Sequence, residues 1–178
     1  MNGENTQSLI KKCKAGDRRA QEELYRQYSP MLMGVCLRYA SNKQEAEDFL
    51  QEGFVKIYAN LYQYQPIGSF SGWLRRVVIN VALQKLRRKK TQFVNIEIDH
   101  LADSVESTED IFSQFGAKML IRLIQQLPDG YRTVFNMYVI EGYSHKEIAE
   151  KLEISEATSK SQLSRAKAAL RKMLEQVV

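Results

Sequence analysis

Ser144-His145-Lys146-Glu147-Ile148-Ala149-Glu150-Lys151-Leu152, followed by Glu153-Ile154 and Ser155-Glu156-Ala157-Thr158-Ser159-Lys160-Ser161, is the stretch that decides the fold. Ser144 and Glu147 have the spacing of a capping box. In that motif the Ser hydroxyl accepts the Glu amide and the Glu carboxylate reaches back to the Ser amide. A short helix through Leu152 follows. Ser155 is then placed to cap a second helix, with Glu156 near its positive end. Two helices joined by a very short turn, with Ile148, Leu152 and Ile154 buried between them, form a helix-turn-helix.

The second of these helices sorts its residues by face. Leu163, Ala166, Leu170, Met173 and Leu174 fall on one stripe, which is the expected core side. Lys160, Ser164, Lys167 and Arg171 lie next to one another on the outward side, flanked by Ser161, Arg165, Ala168 and Lys172. Small residues let a helix enter a DNA major groove closely, while Lys and Arg reach phosphates and guanine edges. An exposed amphipathic helix that binds nothing would share the basic face. The capped short helix and tight turn before it favour the DNA reading.

The rest of the chain is mostly helical in pattern. It has 178 residues and a formal net charge of +5, and 44% of its residues are apolar. That composition is globular. No apolar run is long enough to span a bilayer, and the first residues lack the apolar core of a signal peptide, so the expected compartment is the cytoplasm. Cys13 and Cys36 are expected to be thiols. Two Cys and two His without paired spacing argue against a structural metal, and no cofactor is expected. Residues 1–90 carry 16 Lys/Arg and 8 Asp/Glu, residues 91–114 carry none and 6, and residues 115–178 carry 10 and 7. Two basic blocks therefore flank an acidic strip, a distribution that favours an anionic partner.

In the first block, Ala20, Leu24 and Tyr28 predict a helix over residues 17–27. A second is expected after Pro30, with Leu32, Val35 and Tyr39. A third covers residues 43–61, with Ala46, Leu50, Phe54, Ile57 and Leu61 on one stripe. Pro30, Pro66 and Pro128 are all expected between helices. Residues 62–72 read as a loop, and a fourth helix covers residues 71–90, with Leu74, Val77, Val78 and Val81 inward. Residues 93–98 are the one strand candidate, inside a polar acidic linker over 91–114. The second block, 115–178, breaks at Leu127-Pro128-Asp129-Gly130, at Gly142 and at Glu153-Ile154. The fold class is all-α: two small helical domains joined by a flexible acidic linker. The C-terminal one is a helix-turn-helix domain of winged-helix-like or four-helix type.

Leu127-Pro128-Asp129-Gly130-Tyr131-Arg132, Glu141-Gly142-Tyr143-Ser144, Glu147-Ile148-Ala149-Glu150-Lys151-Leu152, Ile154 to Ser161 and Arg165-Ala166-Lys167 together resemble region four of the extracytoplasmic-function sigma factors. Ala46-Glu47-Asp48-Phe49-Leu50-Gln51-Glu52-Gly53-Phe54-Val55-Lys56, Ser69 to Val77, Asn80-Val81-Ala82 and Leu86-Arg87-Arg88-Lys89-Lys90 resemble region two. The resemblance runs in order over nearly the whole chain. It implies that residues 1–90 bind core RNA polymerase and melt and read the minus-ten element, and that residues 115–178 read the minus-thirty-five element. The implied partners are promoter DNA, the clamp coiled coil of the polymerase largest subunit, the polymerase flap and an anti-sigma factor. The implied site is cytoplasmic, nucleoid-associated when active.

The resemblance assigns Asp48, Phe49, Gln51 and Glu52 to polymerase. Lys160, Ser161, Ser164 and Arg165 are expected near minus-thirty-five base edges, with Lys167 and Arg171 nearer phosphates. Initiation must open DNA without fuel, and no G-x-x-x-x-G-K-[ST] loop is present. Capture of unstacked bases by aromatic faces and a basic groove supplies the alternative physics. Tyr64, Phe70 and Trp73, then Arg76, Asn80, Gln84, Arg87 and Arg88, are the minus-ten candidates; Phe70 and Trp73 read equally as core. The acidic linker is either a tether or a strip that enters a basic polymerase channel.

Three positions depart from the family pattern. Ala157 stands where Gly is usual, Ser159 where Val is usual and Gln162 where Arg is common. Ser159 lies on the core side, so loose packing is expected there, and Gln162 removes a positive charge. A dimeric helix-turn-helix repressor or activator is the competing reading, and the region-two motifs argue against it. A nucleic-acid enzyme is disfavoured because His100 and His145 are isolated and no carboxylate cluster suits two metals. A pure protein-interaction module leaves the basic face unexplained.

Overall fold

The computed structural model describes residues 3–92 and 116–176, and among these every regular element is helical. The strand candidate at 93–98 and the linker beyond Gln92 lie outside the described residues. By contacts the chain groups into two compact units. One holds the residues up to Cys36 together with Lys43–Ala82; the other holds Leu37–Asn42 and the residues from Leu83 onward.

The first unit contains α1 (Gly3–Lys14), nearly all of α2 (Arg18–Tyr39), α3 (Lys43–Asn60), a 3-10 turn (Leu61–Gln63) and the first half of α4 (Phe70–Gln92). Gly16, at φ +82°, ends α1 in the left-handed conformation that glycine adopts without a Cβ penalty. Asp17 then caps α2: its carboxylate accepts the amides of Arg19 at 2.9 Å and Ala20 at 3.2 Å.

One expectation is corrected here. Pro30 lies inside a single 22-residue α2 rather than between two helices. Proline removes one helical donor and crowds the preceding turn. The apolar face outweighs that cost, because Leu24, Leu32, Val35 and Cys36 on both sides of the proline are buried. Cys13 and Cys36 are both buried, and neither forms a disulfide. Val77, expected inward on α4, is only half-buried, whereas Leu74, Val78 and Val81 are buried.

Gly53 marks the closest approach of α3 to α4. A Cβ built there would stand 2.8 Å from Val78 Cγ2.

The second unit is built from α5 (Ala117–Gln126), α6 (Asp129–Phe135), a π turn (Asn136–Ile140), α7 (His145–Leu152) and α8 (Glu156–Glu175), with the end of α4 and Leu37–Asn42. Leu127 and Pro128 are extended and separate α5 from α6, as a residue before proline tends to be. Leu123, Ile124, Val134, Phe135, Met137 and Ile148 join Leu163, Ala166 and Leu170 of α8 in the core. Arg132 is buried among them at 1% exposure. Its guanidinium donates to the carbonyls of Tyr39 at 2.9 Å, Gln125 at 3.0 Å and Leu127 at 2.7 Å, and to the Asp129 carboxylate.

The α3–α4 contact yields a test. Gly53→Ala should gain about 1 kcal/mol of helix propensity and lose about 1–3 kcal/mol to overpacking against a β-branched neighbour. The net expectation is a Tm lowered by a few degrees. The same change made in a Val78→Ala background should cost less, and equal costs in the two backgrounds would show that the contact is not the cause.

Candidate nucleic-acid interface

The helix-turn-helix is held by local hydrogen bonds at each end of its turn. Ser144 Oγ accepts the Glu147 amide at 3.3 Å, and Glu147 Oε2 accepts the Ser144 amide at 2.8 Å, so the capping box is complete. Bonds from the Ser144 amide and hydroxyl hold the Glu147 carboxyl below its ordinary pKa. α7 ends at Glu153, a non-glycine residue at φ +56°, and the Ile154 amide closes the turn onto Ala149 O at 3.1 Å. Ser155 Oγ then caps α8 by accepting the Thr158 amide at 3.0 Å.

Of the three residues expected between the helices, Ile148 is fully buried, while Leu152 and Ile154 are half-buried. Their position at the rim of a two-helix turn, rather than under it, leaves them in partial contact with solvent. Met173 is likewise half-buried, unlike the other four residues of its stripe.

On α8, Lys160 and Ser161 are exposed, and Ser164, Arg165, Lys167 and Arg171 are half-buried. All six occur on one 20-residue helix, outside the stripe that places Leu163, Ala166 and Leu170 in the core. The expectation of loose packing at Ser159 is overturned. Its side chain is completely buried, and its hydroxyl pairs with His145 Nδ1 at 2.9 Å. The His145 ring stacks on Tyr138, with centroids 4.4 Å apart and planes 22° apart. In the sequence His145 stands isolated. Its partner lies fourteen positions away, on a different helix, and the ring beneath it belongs to the π turn. Gln162 does not stand free on the outward side either: its amide covers Gly130 at the start of α6, within 3.2 Å of where a Cβ would be.

In the first unit the loop before α4 gathers aromatic rings. Ser69 Oγ accepts the Gly72 amide at 3.1 Å and starts α4. Phe70 is buried and holds the centre of the cluster. Tyr28 meets it edge-on at 5.5 Å, Tyr64 edge-on at 4.9 Å, and Trp73 stacks on it at 5.9 Å and 11°. Tyr64 and Trp73 are half-buried, so each keeps part of its ring toward solvent. Tyr28 was read from the sequence only as part of a helix stripe and not as a member of this cluster, because it lies on α2, far from this loop in chain order. Along α4 itself, Arg76, Asn80, Arg87 and Arg88 are exposed, and Gln84 is half-buried. Arg87 also pairs with Glu153.

On α3, Asp48 and Gln51 are exposed, and Glu52 is half-buried with Lys56 at 3.9 Å. Val55, 67% exposed, continues the same face. Phe49 is the exception among the polymerase candidates, because it is 1% exposed and belongs to the core. Among the described residues no group of three His, Cys, Asp or Glu could hold a metal ion, and no helix is long and apolar enough to cross a membrane.

Comparison with known proteins gives two family matches in chain order. Residues 24–92 match "Sigma-70 region 2" and residues 117–170 match "Sigma-70, region 4". The chain is 31% identical over 183 residues to RNA polymerase sigma-H factor of Pseudomonas aeruginosa, covering 97% of this chain and 95% of that protein. It is 32% identical over 176 residues to ECF RNA polymerase sigma factor SigW of Bacillus subtilis, covering 93% of this chain and 94% of that protein. In fold it is similar to the sigma factor RpoE solved in complex with the anti-sigma factor NepR from Bartonella quintana. That likeness has a TM-score of 0.52 and 18% identity, and covers 86% of this chain and 96% of that one.

The capping box sets a pH test. A carboxyl with a lowered folded-state pKa contributes stability that is present above its unfolded pKa and is lost as pH falls through the folded value. Glu147→Gln should therefore weaken the acid dependence of thermal unfolding below about pH 5, a window set by ordinary carboxylate values. Ser144→Ala should cost about 1 kcal/mol at neutral pH. An unchanged acid limb in Glu147→Gln would remove the capping box from the stability of this helix.

Proposed function

The chain belongs to the sigma-70 family, in its extracytoplasmic-function group, and on that premise we propose how its residues divide the work of a transcription initiation factor. Such a factor binds core RNA polymerase and directs it to promoters; its role is binding, not catalysis. The observation that carries the assignment is the ordered pair of family matches, together with relatives that align over nearly the full length of the chain.

Residues 115–178 form the minus-thirty-five reader. α8 enters the major groove, with Lys160, Ser161, Ser164 and Arg165 toward base edges and Lys167 and Arg171 toward phosphates. The support is their grouping on the side of α8 away from its core stripe. Gln162 contributes packing rather than readout, since it lies against Gly130.

Residues 1–90 bind polymerase and capture the melted minus-ten strand. Tyr64 and Trp73 offer ring surface to an unstacked base. Phe70, being buried, supports them from beneath. Arg76, Asn80, Gln84, Arg87 and Arg88 follow the strand along α4. Asp48, Gln51 and Glu52 meet basic residues of the clamp coiled coil, and Phe49 holds α3 in place from the core. The second unit meets the flap, and residues 91–114 join the two functional parts. An anti-sigma factor covering these surfaces and a cytoplasmic location complete the reading.

Run-off transcription tests it directly, using core polymerase, the purified protein and fragmented DNA of the source genome, with transcript starts sequenced. Discrete starts that require the protein and share a pair of upstream elements are expected. Core polymerase giving no such starts, while the protein alone still shifts specific DNA, would support a repressor-type factor instead.

Two substitutions separate the parts. Asp48→Lys should weaken binding to core polymerase about tenfold or more, with DNA binding by the second block unaltered. Arg165→Ala should relax base preference within the minus-thirty-five element and cost about 1–3 kcal/mol. Lys167→Ala should weaken all duplexes alike and reduce the salt slope by about one. Unchanged polymerase affinity in Asp48→Lys would remove that residue from the interface.

A further inference from the structure

We propose that His145 is a proton-linked positioning residue of the DNA-reading surface, which holds α8 through Ser159 and takes up a proton when duplex DNA binds. The inference rests on the assignment of α8 as the minus-thirty-five reader and adds a regulation of that same site.

Geometry comes first. His145 is the first residue of α7, directly after the Ser144 cap, and its Nδ1 pairs with Ser159 Oγ at 2.9 Å. Ser159 is completely buried in the first turns of α8, immediately before Lys160. One face of the imidazole is covered by the Tyr138 ring at 4.4 Å. The ring is thus fixed on two sides, by a hydrogen bond to α8 and by a stack on the π turn. The ring therefore ties α7 to the start of α8 with a polar contact.

The surroundings explain the proton. The charged groups acting on the ring are Lys160, Lys167 and Glu156, all from α8. From the π turn the packed residue is Tyr138. Partial burial and then Lys160 disfavour the imidazolium, Glu156 opposes them, and Lys167 adds a smaller disfavouring effect; the net result is that the free ring titrates below its ordinary value. Near neutral pH it is neutral. The same two lysines are the ones assigned to base edge and phosphate. A duplex seated on them brings phosphate charge into the field that keeps the ring neutral, and their repulsion of a cation is offset. Ring protonation does not break the contact to Ser159, because a hydroxyl oxygen can accept from Nδ1–H as readily as its hydrogen can be donated to bare Nδ1.

The sign follows from linkage. With the ring pKa low in the free protein and higher in the complex, affinity is constant above the bound value. It rises as pH falls between the two values and levels off below the free value. A single site gives at most about tenfold per pH unit.

The experiment measures affinity by fluorescence anisotropy, at fixed ionic strength, from pH 5.5 to 8.5. The full chain is titrated onto a 30-base-pair duplex carrying the minus-thirty-five element obtained from the run-off starts. The native chain should bind several-fold more tightly at the acid end. His145→Gln, which keeps a hydrogen-bonding side chain without a titration, should still bind but with a flatter profile. His100→Gln should keep the native profile. In parallel, the His145 ring resonances followed by NMR should give a higher pKa in the presence of the duplex than in its absence. A native profile that His145→Gln reproduces, or a ring pKa that the duplex does not raise, overturns the inference. Absence of any binding to the duplex would instead overturn the assignment of α8 as reader, so the two failures are distinguishable.

Discussion

A buried guanidinium organises the second unit. Taking a charge out of water costs several kcal/mol unless its donors are met, and Arg132, at 1% exposure, meets that condition with three carbonyls and a carboxylate. The acceptors are not arbitrary. Gln125 and Leu127 stand at the end of α5, and Tyr39 at the end of α2, where helix carbonyls lack intrahelical donors and carry the negative end of the dipole. One side chain therefore donates to carbonyls at the ends of two helices. Its neighbour one turn on, Asn136, donates to Arg132 O at 2.8 Å and Arg38 O at 2.7 Å and extends the same arrangement into the π turn. α6, which carries Arg132, packs chiefly against α8. The placement of α8 thus depends on a hydrogen-bond network that tolerates little displacement.

On that frame the turn between α7 and α8 needs few apolar contacts of its own. Ile148 is the one fully buried residue of α7. The rest of the definition comes from caps: Ser144 with Glu147, the left-handed Glu153 and Ser155 with Thr158. Each cap fixes a helix end within a few residues, so the direction of α8 is set by short-range chemistry and its depth by the core stripe. A helix that must present side chains to base edges needs both, because an error in either moves every outward residue together.

What was legible in the sequence follows the same division. The capping box, the second N-cap, the break at Gly142 and the start of α3 at Lys43 are local, and each is written in neighbouring residues. Pro30 was misread because proline is a strong local signal, while the burial of Leu24, Leu32 and Val35 around it is a tertiary effect. Arg132 was indistinguishable from any other basic residue, since its acceptors come from segments as far away as Tyr39. The partner of Ser159 and the contribution of Tyr28 to the aromatic cluster were hidden for the same reason. Helical periodicity assigns a side of the helix, and it does not say whether a polar residue on the core side has found a partner. The outward face of α8 could be traced by spacing, whereas the polymerase assignment on α3 came from the family resemblance. That resemblance grouped Phe49 with Asp48 and Gln51, yet those two are exposed while Phe49 is buried.

Under the proposed minus-ten role, burial and function do not compete in the aromatic cluster. Extracting a base costs a few kcal/mol, and stacking it on an aromatic face returns about 1–3 kcal/mol. The balance is close, so a ring that had to be ordered at the moment of capture would lose the advantage to its own side-chain entropy. Phe70 is sequestered in the core and stacks against Trp73 at 11°, with Tyr64 edge-on, so both outer rings are already ordered. Tyr28 braces Phe70 from α2. Under the proposed minus-ten role, a buried aromatic beneath two half-exposed ones would lower the entropic cost of capture. In that reading the core residue and the contact residue are parts of one device.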